Sequence, residues 1–90
     1  MPVTAHVDGT RTATYDFTPA DLADVERRAM AELAGWGLGG GQLRTWLAMA
    51  RSSVAGSARL VLEYDAAAGL LSCDVWCDGK RAFGADDWVG

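Results

Sequence analysis

Two cysteines and one histidine are the side chains of this sequence best suited to act as nucleophiles, bases or metal ligands. Cys73 and Cys77 lie four residues apart in an alternating segment typical of a β-strand, where four residues span about 13 Å. Because a disulfide needs Cα atoms within about 7 Å, we expect two reduced thiols packed as small apolar side chains. These cysteines and His6 are too few for a structural zinc ion, which takes four ligands. No motif places a nucleophile beside His6, so we expect no metal, no cofactor and no catalytic residue.

A glycine-rich segment, residues 35–41, separates two predicted helices. Backbone N–H groups at the start of the second helix can hold an anion, with Gly39, Gly40 and Gly41 as the candidate binding residues. However, a helix rather than a strand precedes this segment, and no Gly-Lys-Ser/Thr sequence follows it, so the nucleotide-binding motif is incomplete. The alternative is a flexible turn between two helices.

Tryptophan is frequent in this chain, with four in 90 residues. Trp36 and Trp46 fit a core between two helices, whereas alternation sends Trp76 to the sheet face opposite Cys73 and Val75. An exposed aromatic side chain with apolar neighbours and a polar rim is typical of a protein-binding surface. The alternative is that the C-terminal tail folds over this face and covers the indole. The predicted partner-binding residues are Trp76, Val61, Asp74, His6, Leu70 and Trp88.

The net charge of −4 lies entirely in the last third of the chain. Residues 1–60 hold six Arg against six Asp and Glu, whereas residues 61–90 hold six acidic residues against Lys80 and Arg81. Net negative charge argues against broad affinity for nucleic acid or anionic lipid, so we expect neither direct nucleic-acid binding nor membrane binding. Two interpretations of the acidic third stay open: ordinary surface solvation, or an acidic inhibitor of a nucleic-acid-processing complex of the kind that a phage encodes.

A β-hairpin and two helices are the first elements expected to position these residues. Alternation over residues 3–17 predicts the hairpin, and matching its apolar positions favours a three-residue loop at residues 8–10. A Thr-Pro pair predicts a helix over residues 18–35, and a second helix is expected from about residue 42 to residue 54. Helical spacing predicts the core-facing residues Leu22, Val25, Ala29, Leu33, Trp36, Leu43, Trp46, Leu47, Ala50 and Val54.

The last third of the chain predicts three strands. A four-residue loop at residues 66–69 places apolar residues opposite each other in three pairs: Leu60 with Val75, Leu62 with Cys73, and Tyr64 with Leu71. A three-residue loop at residues 78–80 would set Phe83 opposite Val75, and residues 84–90 are expected to form a tail. The predicted fold is α+β, a two-layer sandwich of order ββααβββ with an antiparallel sheet and two helices on one face.

The stretch from Thr18 to Gly79 resembles part of the histidine-kinase-type ATPase domain of bacterial anti-sigma kinases. The resemblance lies in residues 33–38, which are similar to the end of that family's first helix, and in residues 58–62, 71–75 and the Asp78-Gly79 pair. The family carries a Glu and an Asn on its second helix for magnesium and ATP, but residues 48–52 here read Ala-Met-Ala-Arg-Ser. Arg81 stands where the family has a second Gly. The resemblance therefore implies a degenerate relative without ATPase activity.

The sequence as a whole predicts a single domain over residues 1–90, without a signal peptide, located in the cytoplasm. The absence of Ile and Asn and the single Lys indicate a GC-rich bacterial or phage genome. We expect a small non-enzymatic interaction module, a regulator, adaptor or inhibitor, that binds a protein partner or a second copy of itself through the outer sheet face. The alternatives are the acidic inhibitor and a degenerate ATPase-like domain that binds a nucleotide or an anion at its glycine loop.

Overall fold

The computed structural model describes residues 9–89, which form four strands and two helices. The strands are β1 (Thr10–Phe17), β2 (Ala58–Asp65), β3 (Leu70–Cys77) and β4 (Lys80–Trp88), and the helices are α1 (Leu22–Gly35) and α2 (Gly41–Ala50). Short 3-10 turns, Pro19–Asp21 and Arg51–Ser53, adjoin the two helices. The strand predicted at residues 3–7, which includes His6, lies outside the described residues. From the second predicted strand onwards, the order βααβββ is confirmed.

The strands form an antiparallel sheet in the order β1-β2-β3-β4, so the fold belongs to the α+β class. The three predicted pairs of β2 and β3 are confirmed: Leu60 lies opposite Val75, Leu62 opposite Cys73, and Tyr64 opposite Leu71. β1 pairs with β2 across a separation of more than forty residues, with Ala13 opposite Leu62 and Tyr15 opposite Leu60. Successive side chains of a strand point to opposite faces, so this register decides which residues share each face.

Three predictions about loops and ends are wrong. Thr10, predicted to lie in a loop, is the first residue of β1. The turn between β3 and β4 contains two residues, Asp78 and Gly79, because Cys77 lies opposite Lys80. A β-bulge after Arg81 then restores the predicted partnership of Phe83 with Val75. Residues 84–88 are not a tail, because main-chain pairing with β3 continues to Trp88.

The predicted cap of the first helix is present, but Pro19–Asp21 form a 3-10 turn and the α-helix itself begins at Leu22. The backbone N–H and the hydroxyl of Thr18 both donate to Oδ2 of Asp21, at 3.3 and 3.0 Å, so the carboxylate satisfies a backbone donor ahead of the helix. Phe17, directly before this cap, is buried, and Leu22 packs against the same hydrophobic cluster. The second helix is shorter than predicted, since its last turn, Arg51–Ser53, tightens to a 3-10 conformation.

Buried side chains of both helices and of the sheet form one hydrophobic cluster. Each predicted core-facing helical residue is either buried in this cluster or packed against it. The indole of Trp36, directly after α1, stacks on the ring of Tyr64 in β2, with centroids 6.4 Å apart and planes 12° from parallel. The buried sheet residues are Phe17, Ala58, Leu60, Leu62, Leu71, Cys73 and Val75. Within residues 9–89, no helix is both long enough and apolar enough to cross a membrane.

Candidate functional site

Trp76 lies on the sheet face that points away from the buried cluster, which we call the outer face. Its side chain is 39% exposed, whereas Val75 and Cys73 are completely buried. The alternation of β3 therefore places the indole outward, as the sequence predicts. A large aromatic side chain in this position leaves apolar area in contact with water unless a ligand or partner covers it.

Two ion pairs flank the indole of Trp76. Arg59 lies opposite Trp76 on β2, and Arg81 lies opposite it on β4. The guanidinium of Arg59 donates to Asp16 twice, at 2.7 Å from Nε and 3.3 Å from Nη2. Nε of Arg81 lies 2.8 Å from Oδ1 of Asp74. Each arginine next to the indole thus already has a carboxylate partner, and the local charge is close to balanced.

The Arg59 guanidinium also affects the ionisation of its partner. Its hydrogen bond to Asp16, with a smaller Coulombic contribution, holds the pKa of that carboxyl below its ordinary value. Asp16 is therefore ionised at neutral pH, and the bidentate geometry fixes the orientation of Arg59 along one side of the indole.

An open groove with a volume of about 790 Å³ lies beside Trp76 on the outer face. Its walls combine apolar side chains with the Asp16–Arg59 ion pair and the Asp78-Gly79 turn. This size falls within the usual range for ligand clefts, and the lining combines apolar and polar side chains, as ligand-binding clefts do. The lining residues are Asp16, Phe17, Thr18, Ser57, Ala58, Arg59, Val61, Trp76, Asp78 and Gly79.

Leu70 and Trp88 lie opposite each other at the far end of the outer face. Trp76 lies six positions after Leu70 along β3, which corresponds to about 20 Å. Trp88 is 69% exposed and does not cover Trp76, so the interpretation that the C-terminal segment hides the indole is wrong. A smaller cavity of about 210 Å³ lies at this end of the sheet and is lined by Thr10 of β1, by Glu63 and Asp65 of β2, and by Leu70 and Ser72 of β3.

The predicted partner-binding residues are therefore divided between two places. Trp76 and Val61 line the same groove. Asp74 is adjacent but is engaged by Arg81, while Leu70 and Trp88 belong to the other end of the sheet. The sequence prediction does not include Asp16 and Arg59, because it does not pair β1 with β2. The opposite charges of Asp16 and Arg59, which face each other across β1 and β2, are the feature of the sequence that indicates this pairing.

The cysteines lie in the structure as free thiols. Cys73 is fully buried and Cys77 is half-buried. Burial, reinforced by the neighbouring Asp74 carboxylate, raises the pKa of the Cys73 thiol to about 12, so it stays protonated at neutral pH and is a poor nucleophile. Among the residues described, no three His, Cys, Asp or Glu side chains converge as metal ligands.

The glycine segment lies at the start of α2, with Gly41 as its first residue and Gly40 directly before it. A Cβ atom on Gly40 would overlap the side chain of Met30 in α1. A residue larger than glycine at this position would therefore require the Met30 side chain to move. Within residues 9–89, apart from the neighbouring parts of the chain, no atom lies within 4 Å of the position that a Cβ atom would take on Gly39 or Gly41.

Comparisons with known proteins assign the chain to no family. A scan against protein-family models and searches of curated proteins and of solved structures found no match.

Proposed function

We propose that this protein is a non-enzymatic interaction module that binds a protein partner through the groove beside Trp76. In this proposal both helices cover the inner face of the sheet in a two-layer arrangement, and the outer face is left for recognition. Two unbridged thiols fit a reducing compartment such as the cytoplasm.

The single observation that carries the proposal is an indole 39% exposed in the lining of an open groove. Tryptophan and arginine are the residues most often found at the energetic centre of protein interfaces. The Asp16–Arg59 pair lines the groove itself, and the Asp74–Arg81 pair lies on the other side of the indole. Because both pairs form without a partner, binding does not have to leave either arginine unpaired.

The geometry favours a partner that inserts one apolar side chain between Trp76 and Val61. Such a contact removes apolar area of both side chains from water and gains roughly 25 cal/mol for each Å² covered. Main-chain groups of the partner would then reach the polar rim formed by Asp16 and Asp78.

Replacement of Trp76 by alanine tests this proposal against a matched aromatic control. Partners captured from the native host by the wild-type protein are identified by mass spectrometry, and their affinities are then measured by calorimetry. We expect W76A to weaken binding by about 2 kcal/mol or more, as for an interface hot spot, while W88A changes it only slightly. Circular dichroism should show both variants folded, since both side chains are exposed. Equal affinity of W76A and wild type would refute the groove as the binding site.

A second candidate function is an acidic inhibitor that occupies a basic surface of a nucleic-acid-processing complex. The observation that favours it is the placement of acidic residues on one surface. The register of the sheet puts Glu63 and Asp65 of β2, Asp74 of β3 and Asp86 of β4 all on the outer face. Only Asp74 among these four has an arginine partner within the described part of the chain. The two candidate functions share a surface but differ in what drives binding.

A further inference from the structure

β4 is an edge strand of the sheet described here, since it pairs with β3 alone. The backbone N–H of Val89 donates to the carbonyl of Gly69 at 2.7 Å, so Val89 directs its main-chain groups towards β3. Hydrogen-bonding direction alternates along an antiparallel strand. The main-chain groups of Gly84 and Asp86 therefore point away from β3, and those of Ala85 and Asp87 point towards it.

The two ends of β4 carry charges of opposite sign. The strand begins with Lys80 and Arg81 and ends with Asp86 and Asp87 before its final tryptophan. Lys80 and Asp87 share the inner face, because they lie opposite inner-face residues of β3. Arg81 and Asp86 share the outer face in the same way. A strand with a basic start and an acidic end is complementary to an antiparallel copy of itself.

We propose that two copies of this chain associate through β4, antiparallel, about a two-fold axis at Gly84. Phe83 then lies opposite Ala85 of the other copy. The bulge at Ala82 shifts the register by one residue, as it does against β3, and this shift brings Arg81 opposite Asp86 and Lys80 opposite Asp87. Both resulting charge pairs fall on matching faces. They occur twice in the dimer because the axis repeats them.

The main-chain directions agree with this register. Gly84, Asp86 and Arg81 all direct their main-chain groups towards the free edge, so Gly84 with Gly84 and Arg81 with Asp86 become hydrogen-bonded pairs. Without the bulge, Arg81 would instead lie opposite Asp87, on the other face of the sheet. The same two-fold operation joins the two four-stranded sheets into one continuous sheet and leaves no edge at β4.

The centre of the interface offers little obstruction. Gly84 carries no side chain, and the Arg81 side chain lies over it on its way to Asp74. Only Nε of Arg81 is engaged with Asp74 in that ion pair. The remaining donors of the guanidinium are available for a second carboxylate, since arginine carries five N–H groups in all.

Charge-swapped variants of the full chain test this dimer. Sedimentation velocity over a range of protein concentrations should show a monomer–dimer equilibrium for the wild type. The double variants K80E/R81E and D86K/D87R should each raise the dimer dissociation constant at least about tenfold, because like charges then face each other. An equimolar mixture of the two should restore a dimer, since every pair is again opposite in sign. Failure of the mixture to associate would overturn the proposal, as would a wild type that is monomeric at every concentration.

A proline variant separates loss of the dimer from loss of the fold. Asp86→Pro removes an N–H group that β3 does not use, whereas Asp87→Pro removes one that β3 needs. We expect D86P to retain the circular dichroism spectrum of the wild type and to sediment as a monomer, and D87P to lose stability as well. A D86P protein that still forms dimers would show that association uses another surface. W76A should dimerise like the wild type, which keeps this test separate from that of the groove.

Discussion

Cys73 shows how strongly the core constrains a single titratable side chain. Its thiol is completely buried in the hydrophobic cluster, and its pKa is raised to about 12 from the ordinary value of 9.0. The unfolded chain therefore loses this proton at lower pH than the folded chain does. Stability from this difference is fully present below pH 9.0 and is lost as pH rises towards 12.

Replacement of Cys73 by alanine should make stability less sensitive to alkaline pH. For the wild type, this thiol alone should lower the free energy of unfolding by about 1.4 kcal/mol for each pH unit above 9.0. Urea denaturation between pH 8 and pH 10.5 measures that slope. C73A should be less stable at pH 8 but show a shallower slope, and Cys77→Ala serves as the control. Equal slopes for C73A and wild type would contradict the assignment of the raised pKa to Cys73.

The sequence predicts those residues of the outer face that follow from the alternation of side chains along a single strand. Trp76 and Val61 were placed correctly because β2 and β3 alternate without interruption. The Asp16–Arg59 pair was not, because 43 residues separate its members and only the pairing of β1 with β2 brings them together. The face to which each side chain of a strand points follows from the local sequence. Which strand lies beside it depends on how the whole sheet is assembled.

At the scale of elements, the β3–β4 hairpin depends on a turn with two left-handed residues. Asp78 and Gly79 have φ values of 52° and 75°, the combination that a type I′ turn requires. Gly79→Ala should therefore lower the free energy of unfolding by about 1 kcal/mol, since a Cβ atom disfavours positive φ. Thermal denaturation provides the measurement.

Gly39→Ala is the matched control for the turn. Gly39 has no positive φ, and no atom of the described residues lies within 4 Å of the position that a Cβ would occupy, so this substitution should leave stability unchanged or slightly increased. If G79A and G39A lower the free energy of unfolding by similar amounts, the glycine at position 79 is not needed for its positive φ. Asp78→Asn should be tolerated, because asparagine enters the left-handed region readily.

The same hairpin shows why one loop was predicted correctly and another was not. For β2 and β3, the predicted four-residue loop places apolar residues opposite each other in three pairs, and that loop is present. For β3 and β4, a three-residue loop and a two-residue turn followed by a bulge both place Phe83 opposite Val75. The hydrophobic pattern cannot distinguish these solutions, because the bulge at Ala82 adds the residue that the shorter turn lacks.

The end of β4 illustrates an element that tertiary pairing forms against local preference. Gly84, Asp86 and Asp87 are residue types depleted in strands, so the sequence predicts a tail. The strand continues because β3 offers a full row of partners as far as Leu70. A Cβ atom on Gly84 would displace the guanidinium of Arg81, the flexible end of an exposed side chain.

At the scale of the whole molecule, the sheet separates two chemically different faces. The inner face joins the helices in one cluster, and the core stripes of both helices were predictable from their 3.6-residue spacing. The outer face combines an apolar groove near Trp76 with acidic residues towards Trp88. Binding through the groove is driven by apolar contact, whereas binding through the acidic residues is driven by Coulombic attraction, and salt affects the two differently.

The salt dependence of partner binding distinguishes the two candidate functions. If the acidic residues of the outer face contact a basic partner, raising sodium chloride from about 50 to 500 mM should weaken binding severalfold or more, because the Debye length falls to a few ångströms. Glu63→Gln, which removes one exposed outer-face charge, should reduce that salt dependence. W76A should lower the affinity at every salt concentration without changing the slope. An affinity that does not vary with salt would exclude the acidic-inhibitor function and leave the apolar groove as the basis of recognition.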